Sequence, residues 1–285
     1  MLSYQHSYHA GNHADVLKHI VLGEVLAAMQ QKDAPMFALD AFASRGNCDL
    51  DSAEALKNRE FDSGIGRIWP HRHEPMPEGV ARWLLAVRSM NNDDRCTTYP
   101  GSTALLHHWQ RDQDRLAACE MHPQEFDALR SSFRSSRSLA LHKRDAYEAL
   151  RALLPPKEKR GLVFIDPSYE EKDEYRRIAQ AVTDAYPHFR AGVYLIWYPL
   201  LPAGRQRELF RALQKSGIRK ILRVELEGNG AFGDTDRPMQ MQGSGMLIVN
   251  PPWHAAQSIR ISLNWLKQVL CPTAGTARSD WLVPE

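Results

Sequence analysis

Short runs of large apolar residues alternate along this chain with stretches whose apolar positions recur every three to four residues. Residues 36–40 (M-F-A-L-D), 116–120 (L-A-A-C-E), 138–142, 162–165, 193–198, 218–226 and 246–250 have the length and pattern of strands. Between them, helical spacing predicts helices from Ser102, from Pro123, after Asp145, over 172–186, over 205–216 with Gly217 as cap, and over 253–270. An N-terminal helix starting at Gly11 or Asn12 carries Val16, Leu17, Ile20, Val21 and Met29, and ends at Lys32-Asp33-Ala34-Pro35. Seven strands separated by helices predict an α/β fold with an open, seven-stranded, mainly parallel sheet. Residues 47–98 break the alternation. They hold Pro70, Pro75, Pro77 and the amphipathic A-R-W-L-L-A-V-R-S-M, with no strand-like run. We read them as a helical insertion subdomain within a single domain of residues 1–285, either a partner-binding appendage or plain packing.

Composition narrows the class. Of 285 residues, 43% are hydrophobic and 25% charged, the balance of a soluble globular protein. A net charge of +2 announces no nucleic-acid partner, so any basic surface must be local. Cys48, Cys96, Cys119 and Cys271 lie far apart with no C-x-x-C, which suits a reduced cytoplasmic protein better than a disulfide framework or a zinc site. The N-terminus has no apolar signal core, and the run 191–201 is too short to span a bilayer. His9 and His13, four residues apart, could share a metal, but no third ligand of suitable spacing is near, so no metal is expected.

The acids point to a ligand. Asp40, Glu120, Asp145 and Asp166 each fall at or just after the end of a proposed strand. In open α/β sheets that edge is where ligands bind. One such acid is as readily a helix cap. Four in succession define an electronegative crevice suited to a cationic ligand with hydroxyls. Glu120 is placed to accept two ribose hydroxyls, Asp145 an adenine amine, and Asp40 with the first loop an ammonium group. The stretch from Gly161 to Tyr175 is central. Its apolar run is a strand buried on both faces, and Asp166-Pro167-Ser168-Tyr169 is displayed where Pro167 ends the ladder.

Strand order, acids and D-P-S-Y together resemble a class I S-adenosylmethionine-dependent methyltransferase of the amino-methylating kind, whose signature is [D/N/S]-P-P-[Y/F/W]. S-Y-Q-H-S-Y-H-A-G-N-H-A-D-V-L-K-H at the start, Y-P-G-S near 99, G-I-R-K-I-L near 217 and N-P-P-W near 250 are similar to the RlmJ family, which methylates adenine N6 in 23S ribosomal RNA. The likeness runs over essentially the whole chain. It implies a Rossmann-like fold, S-adenosylmethionine as cofactor and 23S ribosomal RNA as partner, acted on by a cytoplasmic monomer. It also implies Asp166 as the catalytic acid, with Pro167 and Tyr169 around the target base and Tyr4 touching the RNA. Lys18, His19, Asp40, Phe42, Ser102, Glu120, Asp145, Ala146 and Asp166 are then the cofactor site. Two departures stand out. The first loop is Asp40-Ala41-Phe42-Ala43-Ser44-Arg45-Gly46 where the family reads D-T-H-A-G-x-G, and Ser168 replaces the second Pro of D-P-P-Y.

Asn250-Pro251-Pro252-Trp253 fits the tetrapeptide better than residues 166–169 do. It follows the last strand, and we read it as a strand exit with Trp253 packed. A DNA adenine methyltransferase, a nucleic-acid-binding protein that has lost catalysis, and a glutamine-modifying enzyme stay open as alternatives. For the RNA path there are two basic runs. One holds Arg205, Arg207, Arg211, Lys215, Arg219, Lys220 and Arg223; the other Arg130, Arg134, Arg137, Lys143 and Arg144. Each is either a solvated face or a grip on phosphates.

Overall fold

A computed structural model describes residues 5–92, 94–136, 138–232 and 241–285. In chain order, α1 (His13–Gln30) leads to β1 (Phe37–Asp40) and β2 (Asn47–Asp49). The insertion follows with α2 (Ala53–Asn58), α3 (Ile65–Ile68) and α4 (Glu78–Arg88), closed by β3 (Thr98–Pro100). Then come α5 (Ser102–Trp109), β4 (Arg115–Cys119), α6 (Pro123–Ser132), β5 (Leu139–His142), α7 (Ala146–Ala152), β6 (Gly161–Ile165), α8 (Glu174–Ala185) and β7 (Val193–Leu200). The chain ends with α9 (Gln206–Lys215), β8 (Ile221–Glu227), β9 (Gly243–Val249), α10 (Ala255–Leu270) and β10 (Thr276–Val283).

The main sheet has eight strands in the order β10-β8-β9-β7-β6-β1-β4-β5. This corrects the expected seven. The eighth, β10, is an antiparallel edge strand pairing with β8. Its residues T-A-R-S-D-W-L-V mix charge and apolar groups, as an edge strand does, and carry little of the signal of a buried one. β5, β4, β1, β6 and β7 run parallel, while β9 lies antiparallel between β7 and β8. The chain order reverses where β1 sits between β6 and β4, so the switch point opens beside the ends of those three strands.

Side chains alternate between two cores, one on each face. Leu162 and Phe164 of β6 face the layer of α1, α4 and α10, whereas Val163 and Ile165 face α7, α8 and α9. All four are fully buried, each contributing about 1.5–3 kcal/mol of transfer free energy. α1 is buried along nearly its whole length because it lies on the sheet with α10 and the insertion's α4 packed against it. Asn12 is its cap, its Oδ1 accepting from Ala14 and Asp15 N–H.

The insertion is clasped at its root. Asn47 to Asp49 pair antiparallel with Pro100 to Thr98. That ladder corrects the expectation of no strand here; three residues are too few to show a period. Trp83, Val80 and Val87 of α4 are fully buried, so this helix packs rather than reaching outward.

N-P-P-W lies at the wrong edge for chemistry. Val249 pairs with Tyr194 at the start of β7, and Gly243 with Leu200 at its end. Residue 250 therefore leaves from the edge opposite Asp166. Asn250 donates its carboxamide N–H groups to the carbonyls of Arg190 (2.8 Å) and Gly192 (2.9 Å). Trp253 is not packed as expected: it is 84% exposed.

Candidate active site

The carboxyl ends of β1, β4 and β6 open into a cavity of about 1050 Å³. That is ample for a nucleoside-sized ligand with a second group beside it. Lys18, His19, Phe42, Ser102, Glu120, Asp145, Ala146, Asp166, Pro167 and Tyr169 all line it. Asp40 does not. Its side chain is fully buried beneath the wall, where Oδ2 accepts the hydroxyls of Ser102 (2.6 Å) and Thr103 (2.7 Å) and Oδ1 has no partner. It ties the end of β1 to α5 instead of facing an ammonium group. Burial pushes its carboxyl up to about 6, against the pull of those two hydroxyls. Tyr4 lies outside the described residues.

Asp166 caps the buried strand β6 and is 13% exposed. The sequence showed it no partner, but the fold supplies one. Lys18 Nζ lies 2.6 Å from Asp166 Oδ2 and 2.7 Å from Asp15 Oδ1. The Lys18 side chain is 5% exposed, and two carboxylates hold its amine in place. Asp15 in turn accepts from Gly11 N–H (2.7 Å) and meets His6 Nε2 (3.0 Å). Burial alone would raise the Asp15 carboxyl; the His6 and Lys18 charges outweigh it and hold the group well below the usual range. His19, one residue on, is driven by burial to about 3, so its ring is neutral and shares a hydrogen bond with the Tyr99 hydroxyl (3.0 Å). Asp15 and His6 were not singled out by sequence. The spacing Asp15–Lys18, one turn apart on α1, was the available signal.

Pro167 and Tyr169 flank the acid. Tyr169 sits at φ 54°, a left-handed conformation costly for an aromatic residue. Three contacts hold it there: its hydroxyl donates to the Trp197 carbonyl (2.7 Å), its ring stacks on Tyr175 at 4.3 Å, and it leans on Trp197 at 5.9 Å.

At the other end of the cavity, Glu120 accepts from Ser44 N–H (2.8 Å) and His122 N–H (2.7 Å), one on each oxygen. Burial raises its carboxyl, with those N–H groups pulling the other way. Each oxygen retains acceptor capacity for a hydroxyl. Asp145 caps α7, its Oδ1 taking the N–H groups of Tyr147 (2.9 Å) and Glu148 (3.2 Å), and the residue also lines the cavity. Cap and ligand acid are thus compatible roles. Phe42 packs edge-on against Tyr147.

The unusual loop is anchored by an acid the sequence reading missed. Glu125 accepts Ser44 Oγ (3.0 Å) and a two-pronged bond from Arg45 (2.9 and 2.5 Å). Ser44 stands at φ 53°. The clamp keeps a non-glycine residue left-handed with its N–H aimed at Glu120, where glycine would adopt that shape unaided. Glu125→Ala should therefore weaken cofactor binding by about fivefold, the ~1 kcal/mol left-handed penalty no longer being met. Adding Ser44→Gly should restore most of it. Calorimetric titration of the single and double variants checks this; equal losses in both would refute the clamp.

Among the described residues, no cluster of three or more His, Cys, Asp or Glu could hold a metal. His9 bonds Glu60 (2.7 Å), and His13 is buried against Phe232, ring centroids 3.8 Å apart. No helix of the described residues is long and apolar enough to cross a membrane.

An acid beside the first loop, a capping acid across from it and D-P-S-Y at the switch point accommodate a nucleoside bearing a sulfonium. Sheet order and site together define a class I, S-adenosylmethionine-dependent methyltransferase. A family model described as RsmJ, "Ribosomal RNA large subunit methyltransferase D, RlmJ", matches residues 33–283, and the chain belongs to that family. Ribosomal RNA large subunit methyltransferase J of Escherichia coli (strain K12) is 38% identical over 286 residues, 100% of each chain. The protein of the same description from Haemophilus influenzae is 38% identical over 287 residues, again 100% of each. A crystal structure of a Legionella pneumophila protein, 34% identical, matches with a TM-score of 0.87 over 96% of this chain and 98% of that one.

Proposed function

We propose that this protein methylates the N6 amine of an adenine in 23S ribosomal RNA, as a cytoplasmic monomer, with Asp166 as the catalytic acid. One observation carries the reading: Asp166 stands at the carboxyl end of β6 and lines the cavity, with its Oδ2 held by Lys18. Full-length likeness to two proteins described as ribosomal RNA large subunit methyltransferase J supports the substrate.

An exocyclic adenine amine is a poor nucleophile because its lone pair is conjugated into the ring. Asp166 Oδ1 and the Pro167 carbonyl accept its two N–H bonds, which favours a pyramidal nitrogen and localises the lone pair. Lys18 fixes the orientation of the carboxylate and stabilises its charge. Tyr169, held rigid by Trp197 and Tyr175, offers a ring for the extruded base. The cofactor, when bound, supplies an electrophilic methyl. Glu120, Asp145, Ser102, Ala146, Phe42 and His19 would hold it so that the methyl faces the amine, which is the remaining task of the site.

The test is transfer from tritiated S-adenosylmethionine to ribosomal RNA taken from cells lacking this gene, followed by digestion and mass spectrometry. N6-methyladenosine in the 23S fraction is expected. Label on duplex DNA alone, or on another atom of the base, would overturn the assignment.

A further inference from the structure

The basic run from Arg205 to Arg223 does not act as one face. At its far end the charges are taken up within the protein. Arg219 donates to the Glu285 carbonyl (2.8 Å), Lys220 pairs with the Glu285 carboxylate, and Arg223 makes a two-pronged bond to Asp280 (2.9 and 2.8 Å) while covering the Phe210 ring. Glu208, the run's sole acid, turns to Arg176 at 3.4 Å. Arg207 and Arg211 differ. They stand four residues apart on one side of α9, both exposed, with no acid pairing them among the described residues.

These two guanidinium groups border a surface groove of about 340 Å³ between α9 and β10. Phe210 and Leu282 give it an apolar lining, Arg223 adds a further guanidinium, and Trp281 forms part of its β10 side. Trp281 is 48% exposed although it sits in a strand. The ladder register shifts between Trp281 and Val283, and such an irregularity re-aims side chains at a sheet edge. An indole beside unneutralised guanidinium groups is the combination that receives nucleotides. The ring stacks on a base, and the forked cations take phosphate oxygens.

The groove connects to the catalytic cavity through one helix. Pro199 and Leu201, where β7 ends, line the cavity, and α9 begins five residues later. Arg205, just before α9, lies close enough to Tyr175 to bear on its hydroxyl, and Tyr175 stacks on Tyr169. From Arg205 to Arg211 the helix rises about 9 Å. β10 lies four strands from β6 in the sheet, about 19 Å at ~4.8 Å per strand, and Trp281 stands level with Leu195 of β7, so a strand leaving the target base reaches the groove only after several nucleotides along α9.

We propose that this groove is a second RNA subsite, holding an unpaired nucleotide several positions from the target with its phosphate on Arg207 and Arg211 and its base on Trp281. The proposal rests on RNA being the substrate, and the experiment separates the two.

The full-length protein is assayed with deproteinised 23S ribosomal RNA from cells lacking this gene, for binding across a salt series and for methyl transfer. In the double variant Arg207→Gln/Arg211→Gln, RNA affinity should fall at least fivefold. The slope of log affinity against log salt should flatten by about 1.4, two contacts at ~0.7 each for a single strand. Trp281→Ala should lose about fivefold in affinity with its salt slope unchanged, since stacking releases no counterions, and Trp281→Phe should recover most of it. In each variant kcat at saturating RNA and the dissociation constant for S-adenosylmethionine should stay at wild-type values. Wild-type RNA affinity in both the double variant and Trp281→Ala overturns the subsite. A loss in Trp281→Ala that phenylalanine does not rescue, accompanied by a lower melting temperature, overturns it too, since the indole would then be structural. If the wild-type protein binds this RNA but methylates none of it, the substrate reading fails, while the binding comparison still decides the groove.

Discussion

Asp166→Ala should lower turnover by about a thousandfold or more and leave the protein folded. Removing a positioned acid–base group costs ~10²–10⁴ in rate, and removing an acceptor aimed at developing charge ~10²–10³. Stability is the counter-argument, since stranding one half of a buried ion pair costs ~3–5 kcal/mol. Lys18 is not stranded here, because Asp15 Oδ1 remains 2.7 Å from its amine. The melting temperature should therefore drop by a few degrees at most, and cofactor affinity should change little beside the rate. Asp166→Asn keeps one carbonyl acceptor but gives up the anion, so it should fall between. Single-turnover methyl transfer with a thermal melt on the same samples decides the matter. Turnover above about a tenth of wild type in the alanine variant would sink the assignment of Asp166.

The second large effect belongs to Glu120. Hydrogen bonds to a charged acceptor are worth ~1.5–3 kcal/mol, so Glu120→Ala should raise the cofactor dissociation constant at least tenfold. At saturating cofactor kcat should be nearly retained, since Asp166 and Lys18 are untouched. The pH dependence sharpens the test. Burial raises the Glu120 carboxyl above its ordinary 4.5, so it takes up a proton at a higher pH than a free glutamate. The protonated acid is the poorer acceptor. Cofactor affinity should therefore be full above that raised value and decline as the pH falls through it. In Glu120→Ala this decline should vanish. An unchanged dissociation constant would place the ribose elsewhere.

The buried strands were legible because they are dense and apolar. Residues 162–165 could be read as a central strand since every side chain there is inside, and the structure adds only Gly161. β10 was not, because Arg278 and Asp280 point into solvent and toward Arg223, and the alternation resembles an extended tail. β2 and β3 are too short for any period. In the site, acids at strand ends were visible one by one, but a sequence does not say which way each carboxylate turns. Asp40 turned inward to Ser102 and Thr103, Asp145 serves helix and cavity together, and Asp166 acquired Lys18 from 148 positions earlier in the chain. Glu125 was hidden for a related reason. Its role depends on Ser44 and Arg45, about eighty residues away, arriving at the first turn of α6. Trp253 shows the opposite error, where an aromatic residue after a strand suggested packing and none occurs.

The insertion borders the chemistry directly, since its Glu60 lines the same cavity as Asp166. Glu60 receives Asn12 (2.9 Å) and meets His9 (2.7 Å), while Ile65 N–H donates to the Gly11 carbonyl (2.8 Å). Gly64 lies so near that carbonyl that no Cβ would fit. The segment thus braced is the one whose Gly11 N–H and His6 ring secure Asp15, and through it the Lys18 amine beside Asp166. The N-terminal segment and the insertion are two halves of one scaffold. Trimming either from this sheet would leave buried polar groups of the other without partners, so a shortened enzyme would have to shed both together or redesign its acid from the foundation up.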